Sequence, residues 1–200
     1  MASNEKRASK RKQDILMAAA EVFHSRGYHE ATLEEIANKI EYTKSSIYYY
    51  VKSKQDLLYE CNKLAMELLI EKLYIIIESS ISPEAKLKQA IKMHIKTAID
   101  KLSLMSTAFL LEFALQEPYK TEIKGFRDEY ERQWLSIFNE GVLNGSFKQF
   151  DQRITLFIIL GAMNWMKQWY SKTGRLCEEE ISEIFCNYLI PPLLKDSNSK

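Results

Sequence analysis

Five residues between positions 44 and 49 carry the chemistry that the rest of the chain has to position: Lys44, Ser45, Ser46, Tyr48 and Tyr49. Small hydroxyls, one ammonium and two phenols are hydrogen-bonding groups of modest size. They suit phosphate oxygens and base edges in the major groove of DNA. If this stretch is helical, Ile47 and Val51 lie four apart and face inward, which turns the polar five outward. Ser46–Val51 is also a run of strong strand formers, so these residues taken alone allow a strand.

The flanking segments weigh toward helix. Thr32-Leu33-Glu34-Glu35 is a capping box, in which the Thr32 hydroxyl accepts from the Glu35 N–H and the Glu35 carboxylate reaches back to the Thr32 N–H. Ile36, Ala37 and Ile40 then share one helical face. Glu41-Tyr42 leaves room only for a turn, and Thr43 is an N-cap for a second helix over Lys44–Val51. Ser53 repeats the device with Asp56. Two short helices joined by a tight turn form the helix-turn-helix pattern of DNA readers.

Two hundred residues suffice for one large or two small domains. The net charge of +1 excludes a globally basic nucleic-acid coat. The charge is unevenly placed, with +3 on the first 54 residues and −2 on the remainder. Three cysteines, Cys61, Cys177 and Cys186, fit neither a disulfide framework nor paired metal spacing. No metal or cofactor is expected. The polar opening residues do not read as a signal peptide, and Leu156–Met163 is far short of a membrane span. A cytoplasmic location is the expectation.

Along the chain, residues 1–9 are small, polar and basic and are predicted to be disordered when free. Lys6, Arg7, Lys10, Arg11 and Lys12 form either an arm for phosphates or a minor groove, or a solvated tail. A supporting helix runs from about Lys10 to Arg26 on Ile15, Leu16, Ala19, Val22 and Phe23, and Gly27 stops it. A long helix follows to about Ser79, with Leu57, Cys61, Leu64, Leu68 and Ile76 as its stripe. Ser82-Pro83 caps the next, where Leu87, Ala90, Ile91, Ile95, Ala98 and Ile99 share a face with His94, read as a packed core histidine.

Leu102–Leu115 is apolar nearly all round and is predicted to be central. Pro118 opens a helix striped by Ile123, Phe126, Tyr130, Trp134, Ile137 and Phe138. Asp151 caps a helix through Tyr170, and Glu178–Leu189 forms the last before Pro191-Pro192. With no convincing strand, the fold class is all-α: an N-terminal helix-turn-helix domain over residues 1–54 and a helical domain over 55–200.

The first quarter of the chain, roughly residues 10–58, resembles a TetR-family transcriptional regulator. The likeness lies in Ala20 to Gly27, Thr32 with Ile36-Ala37, Thr43-Lys44-Ser45-Ser46-Ile47-Tyr48-Tyr49 and Lys52-Ser53-Lys54. Glu41 stands where the family usually has a turn glycine, Tyr50 where histidine is common and Val51 where phenylalanine is usual. The resemblance implies a homodimer on a palindromic DNA operator, with Thr32, Tyr48 and Lys54 on phosphates and Thr43, Lys44, Ser45 and Tyr49 nearest the groove. It also implies a C-terminal domain that binds an effector and forms the dimer. Leu156–Met163, apolar on every face, suits with Glu178–Leu189 a four-helix bundle across a two-fold axis, through about residues 151–171 and 178–190, or else an ordinary monomer core.

Residues 125–185 resemble a TetR subgroup that controls fatty-acid or sterol breakdown and responds to CoA thioesters. The matching residues are Arg127-Asp128-Glu129-Tyr130-Glu131-Arg132, Gly161, Asn164-Trp165, Trp169-Tyr170, Gly174 and Glu179-Glu180-Ile181. Candidate effector-lining residues are Phe109, Glu112, Phe113, Arg127, Tyr130, Trp134, Asn164 and Trp165, each of which also suits a satisfied place in a core. The function expected is a repressor released by a small hydrophobic or acyl-CoA-type ligand. Alternatives are another hydrophobic or aromatic effector of multidrug type and a redox sensor at Cys61. An enzyme is not expected, since the three histidines accompany no phosphate loop, nucleophile elbow or metal-spaced cluster.

Overall fold

The computed structural model describes the backbone of residues 2–110 and 112–195 and the side chains of residues 7–109 and 113–195. Nine α-helices occur among them: α1 (Ala2–Arg26), α2 (Leu33–Lys39), α3 (Lys44–Tyr48), α4 (Lys54–Ile77), α5 (Pro83–Asp100), α6 (Leu102–Leu110), α7 (Tyr119–Leu143), α8 (Gln152–Trp165) and α9 (Glu178–Leu189). The fold is all-α; extended pairing among the described residues is an isolated bridge between Phe147 and Leu194. No described helix is long and apolar enough to cross a membrane. The chain forms two compact units, residues 1–66 with 101–126 and residues 67–100 with 127–200.

In the first unit, α1 buries Ile15, Leu16, Ala19, Val22 and Phe23 as its periodicity requires. Gly27 ends it in the left-handed region at φ 79°, its N–H donating to the Phe23 carbonyl at 2.9 Å. The helix begins at Ala2, where composition predicts disorder through residue 9. Ala, Glu, Lys and Arg dominate those turns, and neither Gly nor Pro interrupts them, so local propensity carries the helix outward. Helix α6 packs on α1, and the buried Thr107 hydroxyl donates to the Ala20 carbonyl at 3.1 Å.

Leu102–Leu115 is not one central helix. It stops at Leu110, gives way to a 3-10 turn over Glu112–Ala114, and leaves Phe113 77% exposed. Among the described side chains the interior is reached by the Leu104–Ala108 portion and by Leu115, so an apolar character on all sides did not mean burial on all sides.

In the second unit, α5 lays its stripe against α9 and α8, burying Leu87, Ala90, Ile91, Ile95, Ala98 and Ile99. Lys88 and Lys92 both pair with Glu183 of α9, and Lys96 pairs with Glu178 at 2.9 Å. Trp134, Ile137 and Phe138 of α7 are fully buried. Gly141 is required by packing, because a Cβ there would sit 2.1 Å from the Phe147 ring. The Asp151 carboxylate accepts from the N–H groups of Arg153 and Ile154 and starts α8. That helix ends at Trp165 and tightens to a 3-10 turn over Met166–Gln168, short of the predicted Tyr170.

Candidate functional site

Helix α2 starts as its sequence dictates, with the Glu35 N–H donating to the Thr32 hydroxyl at 3.1 Å. The reciprocal half of the box is diverted, since the Glu35 carboxylate pairs with Arg26 at 3.3 Å. Its far end is a Schellman closure: the Glu41 N–H donates to the Asn38 carbonyl at 3.2 Å and the Tyr42 N–H to the Ala37 carbonyl at 2.9 Å. Glu41 occupies the left-handed position of that motif at φ 57°. The missing turn glycine has therefore not changed the turn; a glutamate adopts the conformation instead.

Thr43 then caps α3. Its hydroxyl accepts from the Ser46 N–H at 3.2 Å and lies 2.9 Å from the Ser46 hydroxyl. Ile47 and Val51 are buried, so Thr43, Lys44, Ser45 and Tyr48 are exposed, Ser46 is half-buried and Tyr49 is 83% exposed. The strand alternative for Ser46–Val51 is overturned for its first three residues, which are helical. The helix ends at Tyr48, earlier than the predicted Val51, and its last turn tightens as the Tyr50 N–H reaches the Ile47 carbonyl at 2.9 Å.

The cations near this surface are mostly engaged. Lys44 pairs with Glu34 at 2.8 Å, which raises the lysine pKa and lowers that of the carboxylate. Lys54, expected on a phosphate, donates to the carbonyls of His29 at 3.0 Å and Ala31 at 3.1 Å and stands 4.7 Å over the Tyr28 ring. It ties the loop between α1 and α2 to the start of α4. Thr32 remains exposed at the head of α2. Tyr42 and Tyr50, to which the sequence assigns no binding role, line a cleft of about 670 Å³ with Arg7, Arg11, Ser46 and Tyr49.

The second unit holds a buried polar chain. His94 lies on α5 with Nδ1 2.9 Å from the Tyr130 hydroxyl and Nε2 3.3 Å from the Asn164 Oδ1. Lys167 Nζ donates to the same Oδ1 at 3.3 Å. An oxygen facing two nitrogens accepts from both, which puts a proton on His94 Nε2, and in the neutral ring Nδ1 then accepts from the Tyr130 hydroxyl. Burial, and then the nearby Lys167, lower the His94 pKa to about 4. Burial, and then Arg127, lower that of Lys167 to about 7. Burial also raises the Tyr130 phenol.

The predicted effector-lining residues divide. Tyr130 and Asn164 meet in this chain, and Trp134 stands edge-on to Tyr130 with ring centroids 6.2 Å apart. Arg127 is half-buried, whereas Trp165 is 66% exposed on α8. In the first unit Phe109 is half-buried and Phe113 is exposed; the Glu112 side chain lies outside the described residues. Lys167 escapes the sequence reading, although its place three residues after Asn164 puts both on one helical side. Cys61 is fully buried, its thiol 3.5 Å from the Leu16 carbonyl and its pKa pushed up by burial.

Residues 15–61 match the family of bacterial regulatory proteins of the tetR type, and residues 80–192 match the tetracyclin repressor-like C-terminal domain. Over 199 residues the chain is 23% identical to the HTH-type transcriptional repressor KstR2 of Mycolicibacterium smegmatis, covering 95% of this chain and 94% of that one. It is 26% identical to the fatty acid metabolism regulator protein of Bacillus subtilis, covering 75% of this chain and 78% of that one. AibR in complex with isovaleryl coenzyme A and operator DNA shares the fold at a TM-score of 0.79 and 23% identity, covering 90% of this chain and 98% of that one. The chain belongs to the TetR family and is a DNA-binding transcriptional regulator of the repressor type.

Proposed function

We propose that the chain is a homodimeric repressor that occupies a palindromic operator and leaves it when a small hydrophobic or acyl-CoA-type ligand enters the helical second unit. The observation that carries the DNA half is the outward presentation of Thr43, Lys44, Ser45, Ser46, Tyr48 and Tyr49 on a helix capped at its start and anchored by Ile47. In this reading Thr32 and Tyr48 take phosphates, while Thr43, Lys44, Ser45 and Tyr49 approach base edges. Lys54 contributes charge beside its loop contacts. Half-sites one turn apart demand about 34–36 Å between two reading helices, so release needs only a ligand that favours another spacing.

The dimer is supported by an uncovered apolar stripe. Ile154, Phe157, Ile158 and Trp165 on α8 are exposed at helical spacing with the exposed Gly161, and α9 adds Ile184 and Tyr188. A contiguous apolar face of this kind calls for a partner, and a second copy offers the same stripe across a two-fold axis. The effector class is supported by the relatives' names and by the AibR complex with isovaleryl coenzyme A. Tyr130, Asn164 and Lys167 supply polar groups in an apolar interior that suit a thioester or acid end.

Thermal-shift screening against acyl-CoAs, free acids and aromatic cations, paired with gel shifts on the DNA upstream of its own gene, tests both halves. A stabilising CoA thioester that also releases the DNA is the expected result. Stabilisation by aromatic cations alone would reassign the effector to the multidrug type. A missing retarded band at low salt would remove the operator reading.

A further inference from the structure

The regulator's reading helix carries little usable positive charge. Lys44, its single lysine, is neutralised by Glu34, Lys54 faces loop carbonyls, and Lys12 pairs with Glu60 at 2.8 Å. Lys39 pairs with Glu21 at 2.9 Å and Arg26 with Glu35 at 3.3 Å. Arg7, Lys10, Arg11 and Lys52 differ: all four are exposed, and among the described residues none has an acidic partner. Of these the two arginines line the cleft of about 670 Å³ whose other wall is Tyr42, Ser46, Tyr49 and Tyr50.

Resting on the DNA-binding reading above, we propose that this cleft holds one sugar–phosphate strand of the duplex, with Arg7 and Arg11 as its phosphate ligands. Because α1 is helical from Ala2, the Cα atoms of the two arginines stand about one turn apart, a rise of about 6 Å, on one side of the helix. Phosphates on one strand recur about every 3.4 Å along the duplex axis, so two long, flexible side chains that start about 6 Å apart have the reach to meet phosphates one or two steps apart on that strand. Guanidinium groups match phosphate oxygens bidentately, and the Tyr42 and Tyr50 hydroxyls add donors at the opposite wall. The first turns of α1 thus supply the electrostatic grip that α3 lacks, and α3 is left to read bases.

The test measures the salt dependence of full-length protein binding to a short mixed-sequence DNA duplex, because the phosphate contribution is independent of sequence. Arg7→Ala/Arg11→Ala is expected to flatten the plot of log K against log salt by about 0.9 for each phosphate left without its arginine. Arg7→Lys/Arg11→Lys retains the slope, and Lys172→Ala, an exposed cation of the second unit, leaves it unchanged. Circular dichroism and Tm should match wild type throughout, since both arginine side chains are solvent-exposed. Wild-type binding with an unchanged slope in the double alanine variant overturns the cleft and leaves the family function standing. A wild type that binds no duplex at low salt overturns both.

Discussion

Lys44 of the reading helix gives its ammonium to Glu34 of α2 at 2.8 Å, so the one cation of α3 is tied to the helix beside it. Both side chains are largely exposed, and exposed pairs of this kind add little to stability. Their consequence is electrostatic: the carboxylate cancels a charge that would otherwise draw phosphate. Glu34→Gln should therefore leave the melting temperature unchanged, tighten binding to duplex DNA several-fold at low salt, and steepen the salt dependence. Fluorescence anisotropy over a salt series reads both effects. Weaker binding in Glu34→Gln would mean that Glu34 orients Lys44 for a base contact.

Glu41 stands at φ 57°, where a side chain is strained and glycine is not. Glu41→Gly should raise stability by about 0.5–1 kcal/mol, the relief of strain offset in part by the freer unfolded chain. Urea unfolding measures this, and a loss of stability would place a compensating contact on the Glu41 side chain. A β-branched replacement, Glu41→Val, should destabilise.

What was legible in the sequence follows the range of the interactions. Thr32, Thr43, Ser53 and Asp151 bond backbone groups two or three residues away, so their caps appear in the sequence and in the structure alike. The turn position at Glu41 was marked by the family resemblance, which places a glycine there, and the structure holds it at φ 57°. The loop contacts of Lys54 were not legible because its partners, His29 and Ala31, lie more than twenty residues back and are carbonyls, which every residue carries. Lys44–Glu34, ten residues apart, crosses a turn and hid equally well. Phe113 fell outside the core because hydrophobicity alone does not say where α6 ends. The His94 chain was half legible: a histidine among Leu87, Ile91 and Ile95 needs partners, but the sequence does not name Tyr130 or Asn164.

His94 connects that chain to pH. It is neutral in the fold with a pKa of about 4, whereas unfolded histidine titrates near 6.5. Between those values the unfolded chain binds the extra proton, so the His94 contribution to stability is full above about pH 6.5 and is lost as pH drops toward 4, by on the order of 3 kcal/mol. Lys167, at about 7 against the ordinary 10.5, gives a slope of the same sign from pH 7 upward. Chemical denaturation at stepped pH should show the acid limb, and His94→Gln should flatten it while carboxylate titration below pH 4 persists. A limb unchanged in His94→Gln would place the responsible proton elsewhere.

The stripe on α8 provides the sharpest separation of folding from assembly. Phe157 and Ile158 are 46% and 60% exposed in the protomer, so a charge there meets water and not the core. Across a two-fold interface the same charge would face its own copy and be desolvated, which is costly for a like-charged pair. Phe157→Arg/Ile158→Glu joins two signs and would leave a salt-bridged escape, so Phe157→Glu/Ile158→Glu is the cleaner variant. It should keep the helical circular dichroism of the parent and sediment as a monomer at micromolar concentration. Its affinity for a palindromic operator should fall by orders of magnitude, because a lone head loses the effective concentration that the second half-site provides. Affinity for a single half-site should stay as it was, because neither substitution touches the proposed DNA contacts of the first unit. A dimer that survives the double glutamate would move the interface away from α8.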